Sequence, residues 1–226
     1  AMEEAWKHFR KTAYSSLYSY PRFTWQTVIP DQRRISKIDL SDDYLQAIRL
    51  YASCADELKS SELYRNDLIE FVSYYVAAKA ENFYKQALKD DSENRVLAAQ
   101  RNLQQTVDLL MDVDRLLASH PLYRLEEWVE LARNSGTTLQ EKDAYEANAK
   151  RLITSWGGIQ EDYAARFWSG LIKDYYIPRI QLYFTKDRNK IREWEEQWIT
   201  SPWSNSTTPF DDPVKAALNL IEKTNK

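Results

Sequence analysis

Two long stretches of the chain carry apolar residues at intervals of three and four positions. The first runs from about residue 62 to 89 and contains Leu68, Ile69, Val72, Val76 and Phe83. The second contains Val96, Leu103, Val107, Leu110, Met111 and Leu117. This spacing lines one face of an α-helix. Because only a short polar segment separates the stretches, we predict two long helices packed as an antiparallel pair.

Shorter stretches with the same spacing lie on both sides of this pair. Thr138 and Glu141 form a capping-box pattern that predicts a helix start, and Asp212-Pro213 predicts another. We also predict a helix from about residue 161 until Pro178, which must end or kink it. The sequence of 226 residues holds only four glycines, which disfavours sheets. We therefore predict an all-α fold, a single helical-bundle-like domain of about eight helices over residues 1–226.

Charge and residue content exclude several functional classes. The net charge of −3 gives no basic footprint for nucleic acid, and no apolar run reaches the roughly 18 residues of a membrane span. His8, His120 and the single Cys54 lie far apart, which argues against a zinc site. We expect no metal, no cofactor, no nucleic-acid partner and no membrane span. The chain also lacks a self-sufficient set of catalytic residues.

The stretch TSWGGIQEDYA, residues 154–164, places two of the four glycines side by side. In one interpretation, Trp156 is the last core residue of a helix and Gly157-Gly158 is its C-terminal cap. In the other, Trp156 stands on a loop beside Tyr163 and forms a wall for a flat apolar ligand such as a sugar ring. The residues alone leave both interpretations open, and the first is the simpler one.

Residues 148–184 resemble the C-terminal helical domain of the alpha-N-acetylglucosaminidases, glycoside hydrolase family 89. The resemblance rests on four motifs in order: Thr154-Ser155-Trp156-Gly157, Asp162-Tyr163-Ala164, Trp168-Ser169-Gly170-Leu171 and Tyr175-Tyr176-Ile177-Pro178-Arg179. Ile180 departs from the pattern, because the family often has tryptophan there. The similarity continues upstream through residues 63–88 and 122–133 and the start of the chain.

The resemblance implies a domain taken from a larger enzyme. Members of the family remove terminal alpha-linked N-acetylglucosamine from glycans, including heparan-type chains, with retention of configuration. Their two catalytic carboxylates lie on a (β/α)8 barrel, which this sequence does not contain. We therefore expect a C-terminal helical domain that packs beside the catalytic barrel domain of the same parent chain. The fragment alone would have no catalytic residue and no glycosidase activity, and the parent would be an exported protein.

The resemblance also implies roles for particular residues. The substrate-binding set at the rim of the sugar pocket would be Trp156, Gly157, Gly158, Asp162 and Tyr163. The structural set would be Trp168, Tyr175, Tyr176, Pro178 and Arg179, with Arg179 paired to a carboxylate. A surface facing the barrel would expose Trp25, Trp156 and Trp203. Two alternatives stay open: a helical protein-interaction module and a freestanding carbohydrate-binding module.

Overall fold

The computed structural model describes residues 1–16, 23–27, 42–156, 164–204 and 206–225, and these are helical almost throughout. Within those ranges it contains ten α-helices and no strand. They are α1 (Met2–Ser16), α2 (Asp42–Ala52), α3 (Ala55–Leu58), α4 (Glu62–Ser92), α5 (Val96–Leu117), α6 (Leu125–Asn134), α7 (Leu139–Leu152), α8 (Ile177–Tyr183), α9 (Arg188–Thr200) and α10 (Pro213–Lys223). The all-α prediction is confirmed.

Helices α4 and α5 form the predicted long pair at the centre of the fold. Helix α4 continues past the expected boundary through Ser92, because the buried Asp90 accepts hydrogen bonds from Gln86, Asn102 and the Arg95 guanidinium. These bonds fix the turn into α5. Phe83, expected to face inward, is 37% exposed.

The shorter helices surround this pair. Helices α1 and α2 pack together and reach α4 through an aromatic cluster of Trp6, Phe9, Tyr44, Tyr51 and Phe71. Helix α10 packs on α4 and α5, while α6 and α7 pair with each other and α7 also packs on α9. Both predicted caps are present: Thr138 accepts from the Glu141 amide and Asp212 from the Lys215 amide.

The predicted helix over residues 161–176 is wrong in its first part. Residues 165–168 have no regular secondary structure, and helical structure begins only at Leu171. Ser169 instead exchanges backbone hydrogen bonds with Tyr123 and Leu125, and Gly170 adopts a left-handed φ of 82°. These pairings with another part of the chain prevail over local helix propensity.

Pro178 does not end the helical run, which continues from Leu171 to Tyr183. The run changes from a π-helical segment, Ile172–Tyr176, to α8 directly before Pro178. A proline has no amide hydrogen to donate, and such local changes of helical geometry accommodate it.

Candidate functional site

The C-terminal end of α7 presents Trp156 at the surface. The Thr154 hydroxyl donates a 2.7 Å hydrogen bond to the Lys150 carbonyl, and the Trp156 amide donates to the Arg151 carbonyl at 3.0 Å. These bonds fold the chain back on the last turn of the helix. The Trp156 side chain is 45% exposed. All eight tryptophans lie in the described ranges, and the other seven are buried or half-buried.

Two adjacent basic residues fix this end of α7 to α9 and the loop after it. The Arg151 guanidinium donates to both carboxylate oxygens of Glu196, at 2.8 and 2.7 Å. The buried Lys150 ammonium donates to the carbonyls of Trp198 and Ser201. Burial lowers the pKa of Lys150, against the opposing effect of Glu146 at 3.1 Å. The backbone that carries Trp156 is therefore held by contacts at several points.

The remaining residues of the predicted rim are Gly157, Gly158, Asp162 and Tyr163, and they lie outside the described residues. Their sugar-binding roles stay predictions. The structure therefore places one member of the set, Trp156, at the surface end of α7.

Arg179 lies at the centre of a buried polar network between α8 and α9. It is 2% exposed, and its guanidinium donates to the Glu195 carboxylate at 3.0 Å and to the Tyr175 hydroxyl at 3.1 Å. The Tyr175 hydroxyl donates to the same carboxylate at 2.6 Å. The carboxylate partner of Arg179 is thus Glu195, and the Arg179 guanidinium also lies 4.7 Å from the centre of the Tyr175 ring.

The Arg179 network extends to a short segment from the first long loop. Arg179 donates to the Gln26 carbonyl at 2.7 Å, and the Thr24 amide donates to the Glu81 carboxylate at 2.8 Å. Trp25 is fully buried between Phe23 and Tyr176, with its ring 4.9 Å from that of Phe23. The prediction that Trp25 is exposed was wrong, because this segment belongs to the core of the domain itself.

Trp203 is also held inside the domain. Its amide donates to Glu146, its indole Nε1 donates to Asp174 at 3.1 Å, and its ring borders Gly170. Trp168 is half-buried, with its ring 6.0 Å from that of Trp128. Of the three tryptophans expected at the surface, only Trp156 is exposed.

Sequence reasoning missed Asp114, a buried carboxylate on α5. It accepts hydrogen bonds from the amides of Gly170 and Lys173 at 2.8 and 3.0 Å and from the Thr207 hydroxyl. Burial raises the pKa of Asp114, partly offset by these donors. In the sequence, Asp114 resembles any polar residue of an amphipathic helix, since its partners lie more than 50 residues away.

No group of three or more metal-ligating side chains occurs among the described residues. Within the same ranges, no helix is both long and apolar enough to cross a bilayer.

One protein-family model matches nearly the whole chain. The family model described as Alpha-N-acetylglucosaminidase (NAGLU) C-terminal domain matches residues 1–223. The chain belongs to this family. The C-terminal-domain identity inferred from the four motifs is therefore confirmed.

A human relative matches the chain in sequence, and two solved structures match it in fold. Human alpha-N-acetylglucosaminidase is 31% identical over 200 residues, which cover 80% of this chain and 27% of the human protein. A family 89 glycoside hydrolase from Clostridium perfringens in complex with PUGNAc has a TM-score of 0.82 at 21% identity. The match covers 98% of this chain and 29% of the Clostridium chain. A structure of the Clostridium protein with its substrate GlcNAc-alpha-1,4-galactose has a TM-score of 0.78 at 21% identity.

The chain therefore spans less than a third of the length of these relatives. The complexes with PUGNAc and with the disaccharide are properties of the Clostridium protein.

Proposed function

We propose that residues 1–226 form the C-terminal domain of a retaining exo-glycosidase that removes terminal alpha-linked N-acetylglucosamine from glycans. Family membership supports this proposal, because the matching family model is named for the alpha-N-acetylglucosaminidase C-terminal domain. The substrate bound in the Clostridium structure, GlcNAc-alpha-1,4-galactose, is consistent with this glycan class. The two alternatives, an interaction module and a freestanding carbohydrate-binding module, have no comparable support from family membership.

The chemistry would take place on a neighbouring (β/α)8 barrel of the same parent chain. A retaining glycosidase uses one carboxylate as acid and base and a second as nucleophile, about 5 Å apart. This chain would instead shape the binding pocket. The exposed Trp156 carries the proposal: its indole, on a backbone that is hydrogen-bonded to the last turn of α7, would form one wall of the sugar pocket. Gly157, Gly158, Asp162 and Tyr163 would complete the rim.

The physical advantage of this arrangement would be a broad aromatic surface carried on a hydrogen-bonded backbone. A tryptophan offers a large contact area for the apolar face of a sugar and has few side-chain torsions to restrict on binding. The hydrogen bond of Thr154 and the Arg151–Glu196 pair connect the backbone beneath it to α7 and α9. The domain would thereby contribute to the binding of both the substrate and the transition state.

An assay with a chromogenic alpha-N-acetylglucosaminide tests whether catalysis requires the barrel of the parent enzyme. We expect turnover by the parent enzyme and none by residues 1–226 alone, because the two carboxylates belong to the barrel. Turnover by the purified 226-residue chain, abolished by a substitution within it, would refute the proposal. Equal turnover by the parent enzyme after deletion of this region would refute the contribution to the pocket.

A further inference from the structure

A surface depression of about 280 Å³ lies between the end of α7, α8, α9 and the loop that follows α9. Its walls include Trp194, Trp198, Trp203, Pro178, Lys173 and Asp174. All of these lie in the described residues, and Trp156 is not among the residues that line the depression. The lining therefore combines aromatic rings with charged groups, and these restrict the ligands that the depression could bind.

The aromatic part of the wall is held in place from beneath. The rings of Trp194 and Trp198 pack on buried Tyr175, with centroid distances of 5.5 and 4.8 Å. The Lys150 ammonium lies over the Trp198 ring, 4.9 Å from its centre, and therefore covers part of the ring that Tyr175 does not. Trp194 is therefore the tryptophan best placed to present an indole surface to a ligand.

The polar part of the wall combines an acceptor with a donor. The Asp174 Oδ2 atom accepts from the Trp203 indole at 3.1 Å. Its Oδ1 atom lies 3.8 Å from the Lys173 ammonium, too far for a hydrogen bond. Within the described residues, Oδ1 thus keeps its capacity to accept hydrogen bonds, because an ionised carboxylate offers about four acceptor positions.

Charge and size restrict the class of ligand. Lys150 and Lys173 both line the depression, which disfavours a cationic ligand despite the aromatic walls. The volume is at the lower limit of small-molecule sites, about 300 Å³, and suits a single ring. A ring with one apolar face and several hydroxyl groups would stack on the Trp194 indole. Its hydroxyl groups would form hydrogen bonds with the Asp174 carboxylate and the Lys173 ammonium.

We propose that this depression binds one pyranose unit of a glycan. The apolar face of the sugar stacks on Trp194, its hydroxyl groups donate to Asp174, and Lys173 donates to a ring or hydroxyl oxygen. The site is formed by the helical chain itself, so this inference does not rest on the proposed function.

The test is a titration of the 226-residue chain with methyl alpha-N-acetylglucosaminide and, separately, with methyl beta-galactoside, followed by the indole N–H signals in NMR spectra. We expect at least one sugar to shift the Trp194 and Trp203 signals saturably, with a dissociation constant in the millimolar range. No saturable shift of these signals with either sugar would overturn the proposal.

Matched variants assign the binding to the depression. Asp174→Asn keeps an acceptor for the Trp203 indole but removes the charge, and we expect about tenfold weaker binding. Trp194→Ala should weaken binding by about tenfold or more through loss of stacking. Lys215→Ala, in a separate cavity beside α10, should leave the affinity unchanged.

Two patterns in the variants would contradict the assignment. One is wild-type affinity in both Asp174→Asn and Trp194→Ala. The other is an affinity lost only in Trp156→Ala, which would assign the sugar to the end of α7 and leave the proposed function intact. Circular dichroism shows whether each variant is folded, and the conservative Asp174→Asn decides the matter if Trp194→Ala does not fold.

Discussion

At the scale of single residues, the structure explains why one family motif contains a glycine. In the motif of residues 168–171, Gly170 combines a φ of 82° with close approach of neighbouring side chains. A Cβ atom there would lie 3.2 Å from Leu125 Cβ and 3.2 Å from Trp203 Cζ2. Glycine is needed both for the backbone conformation and for the space.

We therefore expect Gly170→Ala to lower the free energy of unfolding by about 1–3 kcal/mol, because a left-handed alanine alone costs about 1–2 kcal/mol. Chemical denaturation of the 226-residue chain measures the effect. The control is Ser169→Ala, which removes a long 3.4 Å hydrogen bond to Asp114 and leaves φ unaffected. It should cost about 1 kcal/mol or less. Equal losses in the two variants would argue against the importance of the backbone conformation.

The buried pair of Arg179 and Glu195 gives a second residue-scale prediction. Removing one partner leaves the other charge buried without its counter-ion, which typically costs about 3–5 kcal/mol. We expect this loss for Arg179→Met and for Glu195→Gln, and a double variant less destabilised than the sum of the two. Melting of the four proteins completes a double-mutant cycle.

The exposed pair of Arg151 and Glu196 is the matched control for that cycle. Both side chains are largely solvated, so Arg151→Met and Glu196→Gln should each cost less than about 1 kcal/mol and should couple weakly in their own cycle. If the buried and exposed pairs gave the same coupling energy, burial would not be the reason for the stability assigned to the Arg179 network.

At the scale of elements, local signals predicted α4, α5, α7 and α10 because their periodicity and caps lie within the elements themselves. The segment at residues 164–170 was mispredicted because its conformation depends on Tyr123, Leu125 and Asp114. Likewise, sequence suggested a carboxylate partner for Arg179 but not the Gln26 carbonyl, 153 positions away in the chain. Long-range polar contacts of this kind leave no periodic pattern in a sequence.

The capping box of α7 provides the element-scale prediction. The Thr138 hydroxyl accepts from the Glu141 amide at 3.1 Å, so Thr138→Ala leaves that amide without its side-chain acceptor. We expect a loss of about 0.5–2 kcal/mol in the free energy of unfolding. Gln140→Ala is the control, because Gln140 is exposed in the first turn of the same helix and is not a member of the capping box. A Thr138→Ala variant as stable as this control would contradict the cap.

At the scale of the whole molecule, the tryptophans show what sequence could and could not predict. The high aromatic content suggested a surface for a protein partner. Most of the tryptophan rings instead lie in the domain's own core or pack against it, including Trp25 and half-buried Trp203. Trp156 is the exposed one, and it lies in the segment that raised the sugar-binding hypothesis. The other members of the predicted rim, Gly157, Gly158, Asp162 and Tyr163, lie outside the described residues, and their sugar-binding roles stay predictions.

We propose that Trp156 forms a wall of the sugar pocket in the parent enzyme, and kcat/KM of the Trp156→Ala variant tests this role most directly. Stacking against an aromatic ring is worth about 1–3 kcal/mol, so we expect kcat/KM to fall about 5- to 150-fold with little change in melting temperature. Tyr145→Ala is the control, because Tyr145 is 44% exposed on α7. It lies about two turns before the end of that helix at Leu152 and should leave kcat/KM unchanged. Unchanged kcat/KM in a folded Trp156→Ala enzyme would contradict the claim and leave Trp156 as the end of a helix.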